Sequence, residues 1–435
     1  MWVTSQLRRN IFSGSFAAAG GIVVSVIAYP IYLRFLGATL YGLWAILTVI
    51  IFFSSIGNLG IDEALIKFIA EEYERRKTSN IIAYISTGLN VLLLNGILIF
   101  VLLMLLEKPL RSLLNLNVKY AIIFHDMFPY IVALSIFILI VHFVNAILKG
   151  LGRFDQASYV ILIGRICALV VSILLFIHDY KIWSLLWGQF ASFLVVLILS
   201  SFFIYRKIGL YYSPFKNNKI FLIKLFKFGG TITISKIISI LLIPFVKIII
   251  ARYIGLANVA YFEIANRIVV EIRSLFERGI SAIMPEVSRL SAAISGARKK
   301  ISEVMEKINK ANLVFGVSTF VLLLIFGEPI LKIWLAEKYD VTIVIAFRII
   351  IAGYLINLLA IPYYYYFMAI GKVKYCFINH FIQAALNCLL ILIIIFANIV
   401  NFPLLITAYS FSIAISAAIL VYMYYRKVKG DVRAI

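Results

Sequence analysis

Long apolar stretches dominate this chain, and short groups of polar and charged residues separate them. Twelve stretches have at least the roughly 20 residues that one helix needs to cross the hydrocarbon core of a bilayer. They lie at about 11–33, 41–61, 80–106, 121–148, 156–177, 182–204, 228–251, 257–285, 308–327, 341–368, 373–398 and 402–425. They lack the strict alternation of barrel strands. The pattern therefore predicts an all-α integral membrane protein of about twelve transmembrane helices.

The connections between the stretches are short, the longest being about 205–227 and 286–307. A folded extramembrane domain needs about 50 residues or more, so none is expected. This argues against a membrane glycosyltransferase or ligase, which would need a substantial outer loop for its chemistry. The sequence also has no P-loop, no GxSxG, no HExxH and no paired Cys/His set. We expect no enzymatic activity, no catalytic residues and no metal site.

Composition supports a membrane location. Of the 435 residues, 63% are hydrophobic and 14% are charged, against about 25% charged in soluble proteins, which excludes a water-soluble enzyme. The net charge of +22 could suggest nucleic acid. However, most of the cations lie between the apolar stretches, as membrane topology signals do. They do not form a stripe on a soluble face, so no nucleic-acid partner is expected.

The distribution of Lys and Arg predicts the orientation. Of the 41 cations, 26 fall at the N-terminus, the C-terminus and the loops on one side, 8 fall on the other side, and 7 lie inside the stretches. The positive-inside rule places the richer side in the cytoplasm. We therefore expect a multi-pass protein of the bacterial inner (plasma) membrane with both termini cytoplasmic.

A short motif recurs at half the chain length. The segment YLRFLGATLYGLW at 32–44 resembles IIARYIGLANVAYFE at 249–263, and aligning Gly37 with Gly255 gives an offset of 218 residues. Duplication of six spans keeps the same orientation in both halves. The repeat predicts two six-helix lobes, at 1–210 and 211–435, related by a pseudo-two-fold axis along the membrane normal.

Charged residues inside the stretches are candidate functional residues, because Lys or Arg at a helix centre costs about 2.5–3.5 kcal/mol on insertion scales. Span eight places Glu263, Arg267, Glu271 and Arg278 on one face, while a second stripe holds Asn266, Arg273 and Glu277. Two polar stripes indicate contact with water or a polar ligand. The alternative is i,i+4 ion pairs that only hold the bundle together.

The candidate substrate-binding cations form one set. It comprises Arg267, Arg278, Arg165, Lys236, Arg348 and Arg273. Lys247, near the outer end of span seven, is expected to snorkel outward. The acids Glu271, Glu263 and Asp126 are candidates for ion coupling or charge balance, with H+ or Na+ as the coupling ion and no other cofactor.

Four consecutive tyrosines, at 363–366, follow Pro362 near the end of span ten. Either they belong to an interfacial aromatic belt or they form a stacking surface for sugar rings. The sequence leaves both interpretations open.

Two segments carry a family resemblance. LRFLGATLYGLW at 33–44 and GNLGIDEALIKFIAE at 57–71 resemble the polysaccharide transporter family, which includes the O-antigen and capsule flippases. The family belongs to the multidrug/oligosaccharidyl-lipid/polysaccharide exporter superfamily. The resemblance implies two lobes around a cavity that opens alternately to each side. It also implies the transport of undecaprenyl-diphosphate-linked oligosaccharide to the outer leaflet, for O-antigen and lipopolysaccharide biosynthesis.

The charge balance inside the spans favours this branch of the superfamily. Seven cations against four deep acids suit a diphosphate, which Arg binds bidentately, whereas exporters of cationic drugs should show the opposite sign. We expect a lipid-linked oligosaccharide flippase, with an ion-coupled small-molecule (multidrug-type) exporter of the same fold as the alternative. The expected partners are the lipid-linked oligosaccharide, membrane lipids, a glycan polymerase and export machinery. The chain itself is expected to be a monomer.

Overall fold

The computed structural model describes residues 5–209, 219–281, 287, 290 and 297–432. These residues form thirteen α-helices and no strand. The helices are α1 Ser5–Ile56, α2 Ile61–Glu74, α3 Thr78–Leu114, α4 Val118–Gly150, α5 Phe154–Ile177, α6 Trp183–Ile208, α7 Lys219–Tyr253, α8 Leu256–Ser281, α9 Ala297–Ala311, α10 Ser318–Leu335, α11 Val341–Ala369, α12 Lys374–Phe396 and α13 Phe402–Val432. A π-helical segment, Asn312–Val317, joins α9 to α10. The all-α prediction is therefore confirmed.

Nine helical segments of the described part are long and apolar enough to cross a membrane. Leu94, Ile97 and Leu105 on α3 are among the many large apolar side chains that remain exposed, as lipid-facing positions require. The prediction of about twelve spans differs from nine at two places. The first two predicted spans lie in the single long helix α1, and α7 and α8 are not among the nine segments. The chain is a multi-pass membrane protein, and the number twelve stays a prediction.

Helix α1 changes direction at Gly37, where φ is 69° and ψ is 170°. Gly255, between α7 and α8, also has a positive φ, of 119°. Glycine adopts such angles without the steric cost that a Cβ would impose. The two glycines that the sequence repeat aligns therefore mark a break in the helical path at equivalent points.

The chain forms two compact units, Met1–Ile237 and Ile238–Ile435. In the first unit, α2, α3 and α4 bury a core that includes Leu65, Tyr84 and Phe143. In the second unit, α11 and α13 contact each other along much of their length. The lobe boundary expected between residues 210 and 211 lies outside the described residues and stays a prediction.

Candidate functional site

A cavity of about 350 Å³ opens among the helices of the second unit. Helix α8 supplies its charged residues, and α11, α12 and α13 supply aromatic and amide side chains. The polar lining consists of Arg273, Glu277, Tyr354, Asn357, Tyr364, Tyr365, Asn379, His380, Gln383 and Tyr409. Its volume falls within the ~300–1,000 Å³ range of small-ligand sites. We refer to it as the tyrosine cavity.

Arg273 is the centre of a hydrogen-bonded network in the tyrosine cavity. Its Nε donates to Oδ1 of Asn357 at 2.7 Å, and its Nη1 lies 2.7 Å from Oε2 of Glu277. The Tyr365 hydroxyl donates to the other carboxylate oxygen of Glu277 at 3.1 Å. The guanidinium also lies 5.9 Å from the ring centroid of Tyr354, within cation–π range. Glu277 therefore balances the positive charge of Arg273 inside the cavity.

The remaining hydroxyls of the tyrosine cavity also have polar partners. The Tyr364 hydroxyl lies 3.2 Å from Nε2 of His380. The Tyr354 and Tyr409 hydroxyls lie 3.2 Å apart, and Tyr409 donates to Oδ1 of Asn266 at 3.0 Å. The lining thus combines one ion pair, Arg273 with Glu277, and neutral polar side chains that hydrogen bonds hold in place.

The second polar stripe predicted on α8 is the one that reaches the tyrosine cavity. Arg273 and Glu277 line it directly, and Asn266 reaches it through Tyr409. In the first stripe, Nε of Arg267 lies 3.1 Å from Oε1 of Glu271, and 38% of the Arg267 side chain is accessible. Arg278 is exposed. Of the i,i+4 pairs that the alternative interpretation places on this stripe, Arg267–Glu271 is present, whereas Glu263 forms its ion pair with Lys247 on α7.

Lys247 and Glu263 form a buried ion pair between α7 and α8. Lys247 Nζ lies 2.7 Å from Oε2 of Glu263, and the lysine side chain is only 2% accessible. The expectation that Lys247 snorkels outward is wrong. A carboxylate on the neighbouring helix provides a partner at membrane depth, so the ammonium has no need to reach the interface.

Arg165 lies in a different cavity, of about 390 Å³, within the first unit. We call it the charged cavity. Its polar lining consists of Asp62, Glu63, His142, Asn145, Lys149, Arg165, Gln189 and Ser192. The Asn58 side chain donates to Asp62 and accepts from the Asp62 backbone N–H, which fixes the start of α2 beside this cavity. Arg165 thus shares this cavity with two carboxylates and with Lys149, a second cation.

The other predicted residues are spread out. Arg348 pairs with Glu328 at 2.7 Å, and both side chains are largely exposed. Asp126 is exposed on α4. The side chain of Lys236 lies outside the described residues. Within each unit, the structure brings Arg273 to the tyrosine cavity and Arg165 to the charged cavity, and the roles of the whole set stay a prediction.

The tyrosine run is divided between two environments. Tyr364 and Tyr365 line the tyrosine cavity. Tyr363 and Tyr366 pack against Tyr424 at ring-centroid distances of 4.5 and 4.9 Å. All four rings therefore contact side chains of the second unit, and two of them face a space that could hold a ligand.

Three amide side chains belong to the site, and a search for charged residues does not find them. Asn357, Asn379 and Gln383 line the tyrosine cavity, although none was singled out by the sequence. Their position within apolar spans could have indicated a role, because an amide at such a position must find a polar partner. His380 was likewise one of four scattered histidines with no spacing that indicated its contact with Tyr364.

The family described as "Polysaccharide biosynthesis protein" matches residues 7–291, more than half of the chain. A Shigella flexneri protein named "Putative O-antigen transporter" is 22% identical over 377 residues, covering 83% of this chain and 85% of that protein. The "Succinoglycan biosynthesis transport protein ExoT" of Rhizobium meliloti (strain 1021) is 24% identical over 269 residues. That match covers 60% of this chain and 49% of ExoT.

Two solved transporter structures have a similar fold. An inward-facing multidrug resistance MATE family transporter of the MOP superfamily has a TM-score of 0.79 at 14% identity, covering 96% of this chain and 95% of that one. The lipid II flippase MurJ, in an inward closed conformation, has a TM-score of 0.75 at 16% identity, covering 95% and 87%. At these identities the similarity is one of fold.

Proposed function

The chain belongs to the polysaccharide biosynthesis protein family, and we propose on this basis that it is a lipid-linked oligosaccharide flippase. The membership confirms the resemblance to polysaccharide transporters that the two sequence motifs carried. In this proposal the substrate is an undecaprenyl-diphosphate-linked oligosaccharide. The protein moves it from the cytoplasmic to the outer leaflet of the inner membrane by alternating access.

The architecture in this proposal is twelve transmembrane helices in two six-helix lobes, with both termini cytoplasmic. The positive φ angles of both Gly37 and Gly255 support the underlying repeat. Transport involves no enzymatic step and no cofactor beyond a coupling ion, H+ or Na+. The protein acts as a monomer, in contact with membrane lipids and beside a glycan polymerase and export machinery.

One observation carries the proposal, namely that α8 keeps accessible arginines within a membrane protein of a polysaccharide family. Arg267 has 38% of its side chain accessible, and Arg278, eleven residues later on the same helix face, is exposed. A guanidinium binds a phosphate through two parallel hydrogen bonds. This face of α8 is therefore suited to a diphosphate.

The test is glycan export in cells, measured at matched protein levels. A hydrogen bond to a charged group contributes about 1.5–3 kcal/mol, so removing a cation that contacts the diphosphate should strongly reduce export. The variants are Arg267→Ala, Arg278→Ala, Arg165→Ala and Lys236→Ala. A fifth variant, Arg267→Lys, keeps the positive charge but loses the two parallel hydrogen bonds of the guanidinium, so it separates the two contributions. Lys300→Ala is the control, because the exposed Lys300 is screened by solvent. Wild-type export by all four alanine variants would overturn the role of these cations.

The alternative is an ion-coupled small-molecule exporter, which the TM-score of 0.79 to a multidrug transporter favours at the level of fold. The two candidates differ in the charge of their cargo. If the wild type exports a cationic dye and the arginine variants export it equally well, the exporter is supported. Accumulation of lipid-linked glycan on the cytoplasmic leaflet when the protein is depleted would support the flippase.

A further inference from the structure

We propose that the tyrosine cavity is a subsite for one neutral sugar ring of the transported glycan. The inference rests on the proposed function and deepens it, because it assigns a chemical class of ligand to a cavity inside the second unit. Its volume of about 350 Å³ has room for roughly one or two sugar rings.

The lining combines the two kinds of group that bind carbohydrate. Tyr364 and Tyr365 lie in a near-perpendicular arrangement, with ring centroids 5.6 Å apart and planes at 77°. Ring faces pack against the C–H groups of a pyranose, while amides donate to and accept from its hydroxyls. Asn357 and Gln383 supply such amides within the same cavity.

Asn379 indicates that the cavity is built for a polar ligand. The residue is only 6% exposed, and its Oδ1 has no hydrogen-bond partner among the described residues. A buried acceptor without a partner is costly, so such atoms in folded proteins usually meet a ligand or water. Gln383 follows one turn later on the same face of α12. A sugar hydroxyl would satisfy the acceptor of Asn379.

The charge balance of the cavity selects a neutral ring. The guanidinium of Arg273 is matched by the carboxylate of Glu277 at 2.7 Å, and its Nε bonds to a neutral amide. The His380 ring is engaged by the Tyr364 hydroxyl. Among the described residues that line the cavity, Arg273 is the one Lys or Arg, and its charge is already balanced by Glu277. A hexose or N-acetylhexosamine fits this lining, and an acidic sugar does not.

The position that the repeat aligns in the first unit carries a different type of residue. The repeat offset of 218 residues aligns Gln383 with Arg165 and Asn379 with Ile161, and both Arg165 and Ile161 line the charged cavity. The duplicated position therefore holds an arginine in one unit and an amide in the other. The amide at this position is therefore a feature of the tyrosine cavity that the first unit does not share.

The direct test is saturation-transfer NMR on the purified full chain in nanodiscs, because this method detects millimolar binding. The probes are methyl β-glucoside, N-acetylglucosamine and glucuronate. We expect transfer to the two neutral sugars and none to glucuronate. Gln383→Leu and Asn379→Leu should weaken binding of the neutral sugars at least tenfold, and Tyr365→Phe should weaken it less because the ring is kept.

Two control variants and one variant that should change the sugar preference complete the test. Tyr366→Phe, on the same helix but outside the cavity, and Gln156→Leu, on α5, should leave the NMR signal unchanged. Gln383→Arg introduces the residue type found at position 165 and should shift preference toward glucuronate. Melting temperatures identify any variant that fails to fold, and for such a position Gln383→Asn or Asn379→Ser replaces it.

The outcomes separate the subsite from the proposed function. Absence of sugar binding by the wild type, equal loss in the control variants or a preference for glucuronate by the wild type would overturn the subsite, even if glycan export remains normal. Binding that depends on Gln383 and Asn379 supports the subsite. If such binding is found in a protein whose depletion leaves glycan export unchanged, the flippase proposal fails and the sugar site stands.

Discussion

Lys247 and Glu263 illustrate how single residues decide the packing of α7 on α8. The lysine is 2% accessible and its ammonium lies 2.7 Å from the carboxylate. Each charge alone would be costly at this depth, and the pair is tolerated because each supplies the counter-charge of the other. The interaction joins helices that also meet through the break at Gly255.

We predict that Lys247→Met destabilises the protein by about 3–5 kcal/mol, because it leaves Glu263 buried without its partner. The double variant Lys247→Met/Glu263→Leu should recover most of the loss, since no charge then remains. Thermal unfolding in one detergent measures both. Lys310→Met, which breaks an exposed pair with Glu306, is the matched control and should change little. A double variant as unstable as the single one would contradict the argument.

At this scale the sequence located the charges but not all of their partners. Spacing on α8 predicts that Arg267 and Glu271 meet, because residues four apart share a helix face. It cannot predict that Glu263 meets Lys247, since that contact depends on how two helices dock. Spacing likewise does not predict that Asn379 and Gln383 line a cavity, because the other lining residues come from different helices.

Helix crossings that use small residues set the shape of the second unit. Gly353 on α11 lies against Ser410 on α13, and the Ser410 hydroxyl donates to the carbonyl of Ile349. A Cβ at position 353 would lie 3.0 Å from the carbonyl carbon of Ser410 and closer still to its oxygens. Small residues at such crossings let membrane helices approach closely.

We expect Gly353→Ala to cost about 1–3 kcal/mol, because the backbone of α13 must shift to admit the methyl group. Gly279→Ala, on α8, is the matched control. Nothing lies within 4 Å of a Cβ at that position, so alanine should be neutral or stabilise the helix by up to about 1 kcal/mol. Melting temperatures of the two variants test the difference. Equal effects would indicate that the α11–α13 crossing is loose.

The elements themselves follow largely from hydropathy. A stretch of 20 or more apolar residues must satisfy its backbone internally in a membrane, and a helix is the local way to do so. Among the described residues, the predicted stretches are therefore helical over most of their length, with a turn at 57–60 as an exception. Hydropathy alone does not predict the amphipathic α2 as a separate element, because its fourteen residues are too short for a span.

For the molecule as a whole, hydropathy predicts the all-α membrane fold, whereas it does not predict the cavities. Gly37 and Gly255, which the sequence repeat aligns, both have a positive φ, which glycine adopts at little steric cost. The tyrosine cavity needs residues from α8, α11, α12 and α13, which are far apart in the chain. Its position is a consequence of helix packing, which no local pattern encodes.

The last prediction concerns orientation in the membrane. The 26 cations on one side and 8 on the other predict that both termini are cytoplasmic, because Lys and Arg in short loops are retained on the inner side. Reporter fusions within 205–227 should therefore read cytoplasmic, and fusions within 107–119 should read external. A fusion in the loop at 149–153 is the internal control and should agree with 205–227. If all three report the opposite side, the termini are external and the cation asymmetry does not set the topology of this chain. If 205–227 and 149–153 disagree, α5 and α6 do not both cross the membrane, and the six-helix lobe itself would need revision.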